Sequence, residues 1–275
     1  MRNIFKFARP KGPGYGISSH YYLSLLATTP VLPPILSIIN PTGEGGAVEG
    51  FGAPLSDEAP IDALSLPLSR GGYVIASKDK KTVLKLLIFS KDEVGFNPEE
   101  VALHSASLGV SGELLNRIRA TWTIGQIRFE SHDADVAPSL DFCAQFCLRF
   151  GLLAGAAIAD PLSERYLMPE NLGRFSSNAS FTAAPDYIVV KSEQGVLETR
   201  GLLKFALPEL RISGVLADDQ MKGQAMLLTV AQTVLDGAPL KVGAVLGGFR
   251  VQQADSMGQL LELIPTKGDM HAALS

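Results

Sequence analysis

The sequence predicts an α+β fold built as two units with largely antiparallel sheets. Three observations carry this. Two apolar, β-rich runs at 73–76 and 83–89 flank the polar turn Lys78-Asp79-Lys80-Lys81, the pattern of an antiparallel hairpin. Capped helices follow them. A stretch rich in Ser, Ala and Asn at 173–185 then separates a second set of strands and one helix.

The chain has 275 residues, enough for one large or two small domains with a buried core. Its formal net charge is −4, with no long basic run. Phosphate neutralisation dominates nucleic-acid affinity, so a nucleic-acid partner is not expected. Two cysteines exclude a disulfide scaffold.

Between Lys11 and Glu44 no side chain carries a formal charge. The apolar stretch 21–39 follows Arg2, Lys6, Arg9 and Lys11, an order shared with signal peptides and membrane anchors. Pro30, Pro33 and Pro34 argue against a spanning helix, because each removes a backbone donor. The expectation is a buried segment or a contact with a protein partner or a second copy through residues 20–40. Membrane association and export are the alternatives. Gly43, Gly45, Gly46, Gly50 and Gly52 follow, among acidic residues. Residues 1–70 therefore read as an extended N-terminal segment and a Gly-rich acidic arm.

Residues 71–172 read as one α+β domain. After the hairpin, Asn97-Pro98-Glu99-Glu100 starts a helix: an N-cap, proline at the first position, then acids facing the helix dipole. Ser111 caps a second helix over 113–119, and 121–130 is a strand. Pro138 opens a helix ending near 153. Asp141, Gln145 and Arg149 form its polar stripe, while phenylalanines and Cys143 and Cys147 cover the rest. A short strand at 155–159 closes at Asp160-Pro161. The order β-β-α-β-α-β resembles a ferredoxin-like layer.

After the linker, residues 186–275 read as a second α+β domain. Strands are expected at 187–191, 196–205 and 207–215. Asp218 caps a helix stopped by Asp236-Gly237, a Gly247-Gly248 hairpin follows, and 260–264 closes the sheet. Residues 266–275 read as a frayed tail.

Candidate chemistry is sparse. His132-Asp133-Ala134-Asp135 lies between a strand and a helix, where active-site loops occur. An imidazole and two carboxylates there can share a proton or bind a divalent ion. Gly12-Pro13-Gly14-Tyr15-Gly16 follows no strand and fails the test for a dinucleotide loop. Cys143 and Cys147 read as buried core thiols. No resident metal or cofactor is expected.

The run from Thr199 to Leu210, T-R-G-L-L-K-F-A-L-P-E-L, resembles a stretch of bacterial proteins of a domain-of-unknown-function type, over roughly residues 185–265. The chain departs from that pattern at Ala206, where glycine is usual. The resemblance implies a bacterial cytoplasmic origin and transfers no catalytic residue. In a strand setting, Arg200 and Lys204 are candidates for binding an anion. The function these features favour is a non-enzymatic binding or assembly component. The alternative is a metal-dependent or general acid/base hydrolase using His132, Asp133 and Asp135.

Overall fold

The computed structural model describes residues 21–131, 136–172 and 184–274. They form an α+β fold in two compact units, one over 21–131 and 137–172, the other over 184–274. Each sheet is mostly antiparallel.

The first unit contains β1 (Tyr22–Ala27), α1 (Ile35–Ile38), β2 (Ile39–Asn40), β3 (Val48–Pro54), β4 (Gly71–Ser77) and β5 (Thr82–Ser90). There follow α2 (Pro98–Ser107), α3 (Gly112–Arg119), β6 (Thr123–Ser131), α4 (Val136–Ala154), β7 (Ala157–Asp160) and β8 (Arg165–Leu167). The eight strands lie in the order β2-β3-β4-β5-β6-β1-β7-β8. The expected hairpin is β4–β5, with Ile75 opposite Leu84. The Asn97 side chain caps α2 by accepting the N–H groups of Glu99 and Glu100 at 3.2 and 3.5 Å.

Residues 21–70 correct the expectation of an extended arm. β1 is an interior strand, with Leu23 opposite Ile127 on β6 and Leu25 opposite Ile158 on β7. Both its edges are paired, and Leu23, Leu25, Leu26 and Ala27 are buried, so a charge at any of these four positions would be desolvated. Tyr21, Leu23, Leu25, Leu26, Leu32, Ile35, Ile38 and Ile39 are buried in the unit's own core. The glycines of the supposed arm make room for this packing. A Cβ on Gly50 would lie 2.3 Å from the Ala76 carbonyl oxygen, and one on Gly52 would lie 2.9 Å from Ile35. Gly52 thus admits α1, and Gly50 the β2 side chain of Ile39, against the sheet.

The arrangement also departs from a ferredoxin-like layer. β1 separates β6 from β7, and helices cover both faces. On one face Phe146 and Phe150 of α4 are fully buried, with their rings edge to face at 5.8 Å. The Thr82 hydroxyl of β5 donates to the Ser139 hydroxyl of α4 at 2.8 Å. Arg149, on the polar stripe read from sequence, donates to the carbonyls of Ser37 and Gly45 at 3.1 and 2.7 Å. On the other face α2 and α3 bury Ala102 and Ile118 against Leu26, Ile124 and Ala157.

The second unit contains β9 (Val189–Glu193), β10 (Val196–Arg200), β11 (Glu209–Ser213), α5 (Gln220–Leu235), β12 (Val245–Leu246), β13 (Phe249–Gln253), β14 (Leu260–Pro265) and α6 (Met270–Leu274). The strand order is β12-β13-β14-β11-β10-β9, with β11–β14 the one parallel pair. The α5 residue Gly223 sits against Leu197, Ile212 and Val215, so α5 covers the sheet face to which Leu197 and Ile212 point. The N-cap of α5 is Asp219 rather than Asp218. The stretch read as a frayed tail forms α6, and Met270 is buried. Among the described residues no helix is long and apolar enough to cross a membrane.

Candidate functional site

The segment singled out from sequence, Thr199 to Leu210, runs from β10 through a 3-10 turn at Leu202–Phe205 into β11. Of its polar residues, Thr199, Lys204 and Glu209 turn inward. Glu209 is buried, and its carboxylate accepts the Thr199 hydroxyl at 2.7 Å and the N–H groups of Gly201 and Leu203 at 2.7 and 3.2 Å. The Thr199 hydroxyl in turn accepts the Leu210 N–H at 2.7 Å. Burial pushes the Glu209 carboxyl above the ordinary carboxylate range, and those hydrogen bonds oppose the shift.

Lys204 is fully buried, and its Nζ donates to the Tyr187 carbonyl at 2.7 Å. An ammonium in that position is not presented to a dissolved anion. The two anion-binding candidates are therefore not brought together: Lys204 points into the core, while Arg200 reaches the sheet face opposite α5. There Glu198 accepts Arg200 Nη1 at 2.7 Å. Its other oxygen accepts Arg211 Nε and Nη2 at 2.9 and 2.6 Å. Glu198 is buried, whereas the two guanidinium groups are about one-third exposed. Sequence reasoning missed Glu198 and Arg211. The signal was there, because in paired strands the alternating charges at 198, 200 and 211 fall on one face.

His132, Asp133 and Asp135, the alternative catalytic set, lie outside the described residues. Among the described residues no three metal-ligating side chains come together. Cys143 and Cys147 are buried, and the hydrogen bond between them, together with burial, pushes the Cys147 thiol pKa up. A cleft of about 220 Å³ opens beside α2 and the β7–β8 turn, lined by His104, Asp160, Glu164, Arg165 and Tyr166. Its buried carboxylate, Asp160, accepts the Ser163 hydroxyl at 2.7 Å.

One exposed aromatic residue stands out at an end of the first unit. Trp122, the chain's single tryptophan, is 51% exposed. Its backbone N–H donates to the Ala27 carbonyl at 2.8 Å, and its backbone carbonyl accepts the Lys91 N–H at 3.0 Å. Lys91 Nζ stands 4.3 Å from the ring centroid. The neighbouring Thr123 hydroxyl donates to the Thr29 carbonyl at 2.8 Å, tying the 28–31 loop to this end. Val31, Leu152 and Leu153 are exposed in the adjoining loop and at the end of α4. Compared with protein-family models, curated proteins and solved structures, the chain matches none.

Proposed function

We propose that the protein is a non-catalytic assembly component of the bacterial cytoplasm, joining copies of itself through the Trp122 end of the first unit. The observation that carries this reading is a half-exposed tryptophan whose backbone is fixed by two hydrogen bonds and whose ring lies under a lysine. Tryptophan is favoured in interface hot spots because it buries a large area at little entropic cost. Within the segment 20–40 expected to make the contact, Val31 and Leu36 are the large apolar side chains left exposed among the described residues.

The single tryptophan also reports on its own burial. With rising protein concentration, the emission of Trp122 should move to shorter wavelength as the sedimentation coefficient increases. Trp122→Ser should sediment as a monomer with an unchanged far-ultraviolet spectrum. A wild-type chain that stays monomeric with solvent-exposed emission at every concentration overturns the assignment.

A further inference from the structure

Several connections of the first unit emerge at the end of the sheet that carries Trp122. There the end of β3 lies beside the start of β4, the end of β5 beside the start of β6, and the end of β1 beside the start of β7. The loops 28–34, 55–70 and 91–97 therefore share this end. Helix α4 stops there too, since a Cβ on Gly155 would lie 3.0 Å from the Thr28 hydroxyl oxygen. Exposed apolar side chains gather on it: Val31, Ile61, Val94 and Trp122 on the connections, Leu152 and Leu153 on α4. Six strands wide and three layers deep, the end covers on the order of 700 Å², close to the roughly 800 Å² that each partner contributes to a standard interface. Ile61 is the most exposed large apolar side chain among the described residues. Its loop is nevertheless fixed. The Leu55 N–H donates to the Gly72 carbonyl at 2.8 Å, and Leu32 and Leu68 exchange two backbone hydrogen bonds at 2.7 and 2.9 Å. Nearer the tip the Ala63 N–H donates to the Pro60 carbonyl at 3.0 Å, and Ala63 is buried. Asp57, Glu58 and Asp62 flank Ile61, are exposed, and make no ion pair among the described residues. Lys91, over the Trp122 ring, makes none either.

We propose that two copies join about a two-fold axis, with Ile61 of each seated beside Trp122 of the other. This rests on the self-assembly through the Trp122 end proposed above, and it names the surface that Trp122 meets. An isologous contact needs both halves on one patch, so that residue i meets j and j meets i. Ile61 and Trp122 satisfy that condition, and a second copy supplies knob and socket together by symmetry. Burying the isoleucine supplies affinity, and a loop already fixed loses little freedom on binding. The carboxylates beside Ile61 meet the Lys91 ammonium, which sets the orientation. Asp92, next to Lys91, offsets that charge at long range, so the pairing orders the contact rather than drawing the copies together.

The test uses the full chain and the emission of its single tryptophan. As concentration rises, the wild type should stop at a dimer in sedimentation, because a two-fold contact closes on itself. Ile61→Ser should weaken dimerisation by about a hundredfold, since each dimer buries two isoleucines. Its melting temperature as a monomer should match that of Trp122→Ser, because the Ile61 side chain is fully exposed. Trp122→Ser carries no tryptophan, so in a mixture with Ile61→Ser the emission comes from the Ile61→Ser copy alone. That mixed pair keeps one intact Ile61–Trp122 contact, and the emission should move to shorter wavelength on mixing. A wild type that stays monomeric removes the Trp122 assembly itself, and this inference with it. A wild type that assembles no better than Ile61→Ser, both forming dimers, overturns the reciprocal contact alone. So does growth beyond a dimer, or an emission that mixing leaves unchanged.

Discussion

His271 Nδ1 lies 2.5 Å from Asp219 Oδ2, joining α6 to the N-terminal end of α5. Asp219 is buried, and Lys222 Nζ stands 3.4 Å from its other oxygen. The Asp219 hydrogen bond and charge hold the His271 pKa above its ordinary 6.5, with Asp269 adding to the shift and Lys222 opposing it. The His271 hydrogen bond, with help from Lys222, holds the Asp219 carboxyl below its ordinary 3.8.

The docking of α6 should therefore depend on pH on two sides. A histidine whose folded pKa is raised stabilises fully below 6.5, and this is lost as pH climbs through the raised value. An aspartate whose folded pKa is lowered stabilises above 3.8, and this is lost as pH falls through the lowered value. Docking is strongest between the two. Amide protection factors over 270–274, taken relative to the intrinsic base-catalysed rate at each pH, should be highest in that window and fall toward alkaline pH. His271→Gln should flatten the alkaline side. A fall in protection that survives in His271→Gln would show that another group governs it.

Ala206 holds a left-handed conformation, φ 55 and ψ 30, at the end of the 3-10 turn. A left-handed backbone at this position favours glycine over alanine. Ala206→Gly should stabilise the protein by about 1 kcal/mol, since a left-handed L-residue costs roughly 1–2 kcal/mol and glycine gives back part of that in entropy. Gly201→Ala should do the reverse. Gly201 has φ 124, and a Cβ there would lie 2.4 Å from the Tyr187 carbonyl oxygen. A loss of about 3 kcal/mol or more is expected from strain and overpacking. Urea unfolding of the two variants beside wild type measures both. Equal midpoints for wild type and Ala206→Gly would contradict the strain argument.

Deleting residues 1–42 removes β1, α1 and β2 together. β6 and β7 would then face each other across a missing strand, and Phe146 and Phe150 would lose part of the core around them. Each buried aliphatic side chain contributes about 1.5–3 kcal/mol, so the loss exceeds the whole stability of an ordinary domain. The truncated protein should be insoluble, or should lack cooperative melting of the first unit. A soluble truncation with the wild-type melting temperature would contradict the interior position of β1.

The parts of this architecture that were legible in the sequence are local. The β4–β5 hairpin, the Asn97 cap and the Asp141–Gln145–Arg149 stripe each depend on residues within a few positions of one another. The interior place of β1 was not legible, because Leu23 meets Ile127 across about a hundred residues of chain. The Gly-rich stretch invited a flexible reading, since the same residue that frees a loop also lets a helix approach a strand. At the site, Arg200 was legible as a strand cation. Lys204 was misread, because its burial depends on the Tyr187 carbonyl. The Asp219–His271 contact spans 52 positions and leaves no local pattern.

The place of β1 in the sheet also sets a schedule for synthesis. Tyr22–Ala27 leaves the ribosome before either of its partners, which begin only at Thr123 and Ala157. At about 5–20 residues per second, Leu23, Leu25 and Leu26 wait roughly five to twenty seconds or more for a neighbouring strand. β3, β4 and β5 can zip together in the meantime, but the sheet stays open at its centre. The nascent chain therefore carries an unpaired apolar strand while about a hundred further residues are made, the kind of segment that a ribosome-associated chaperone shields.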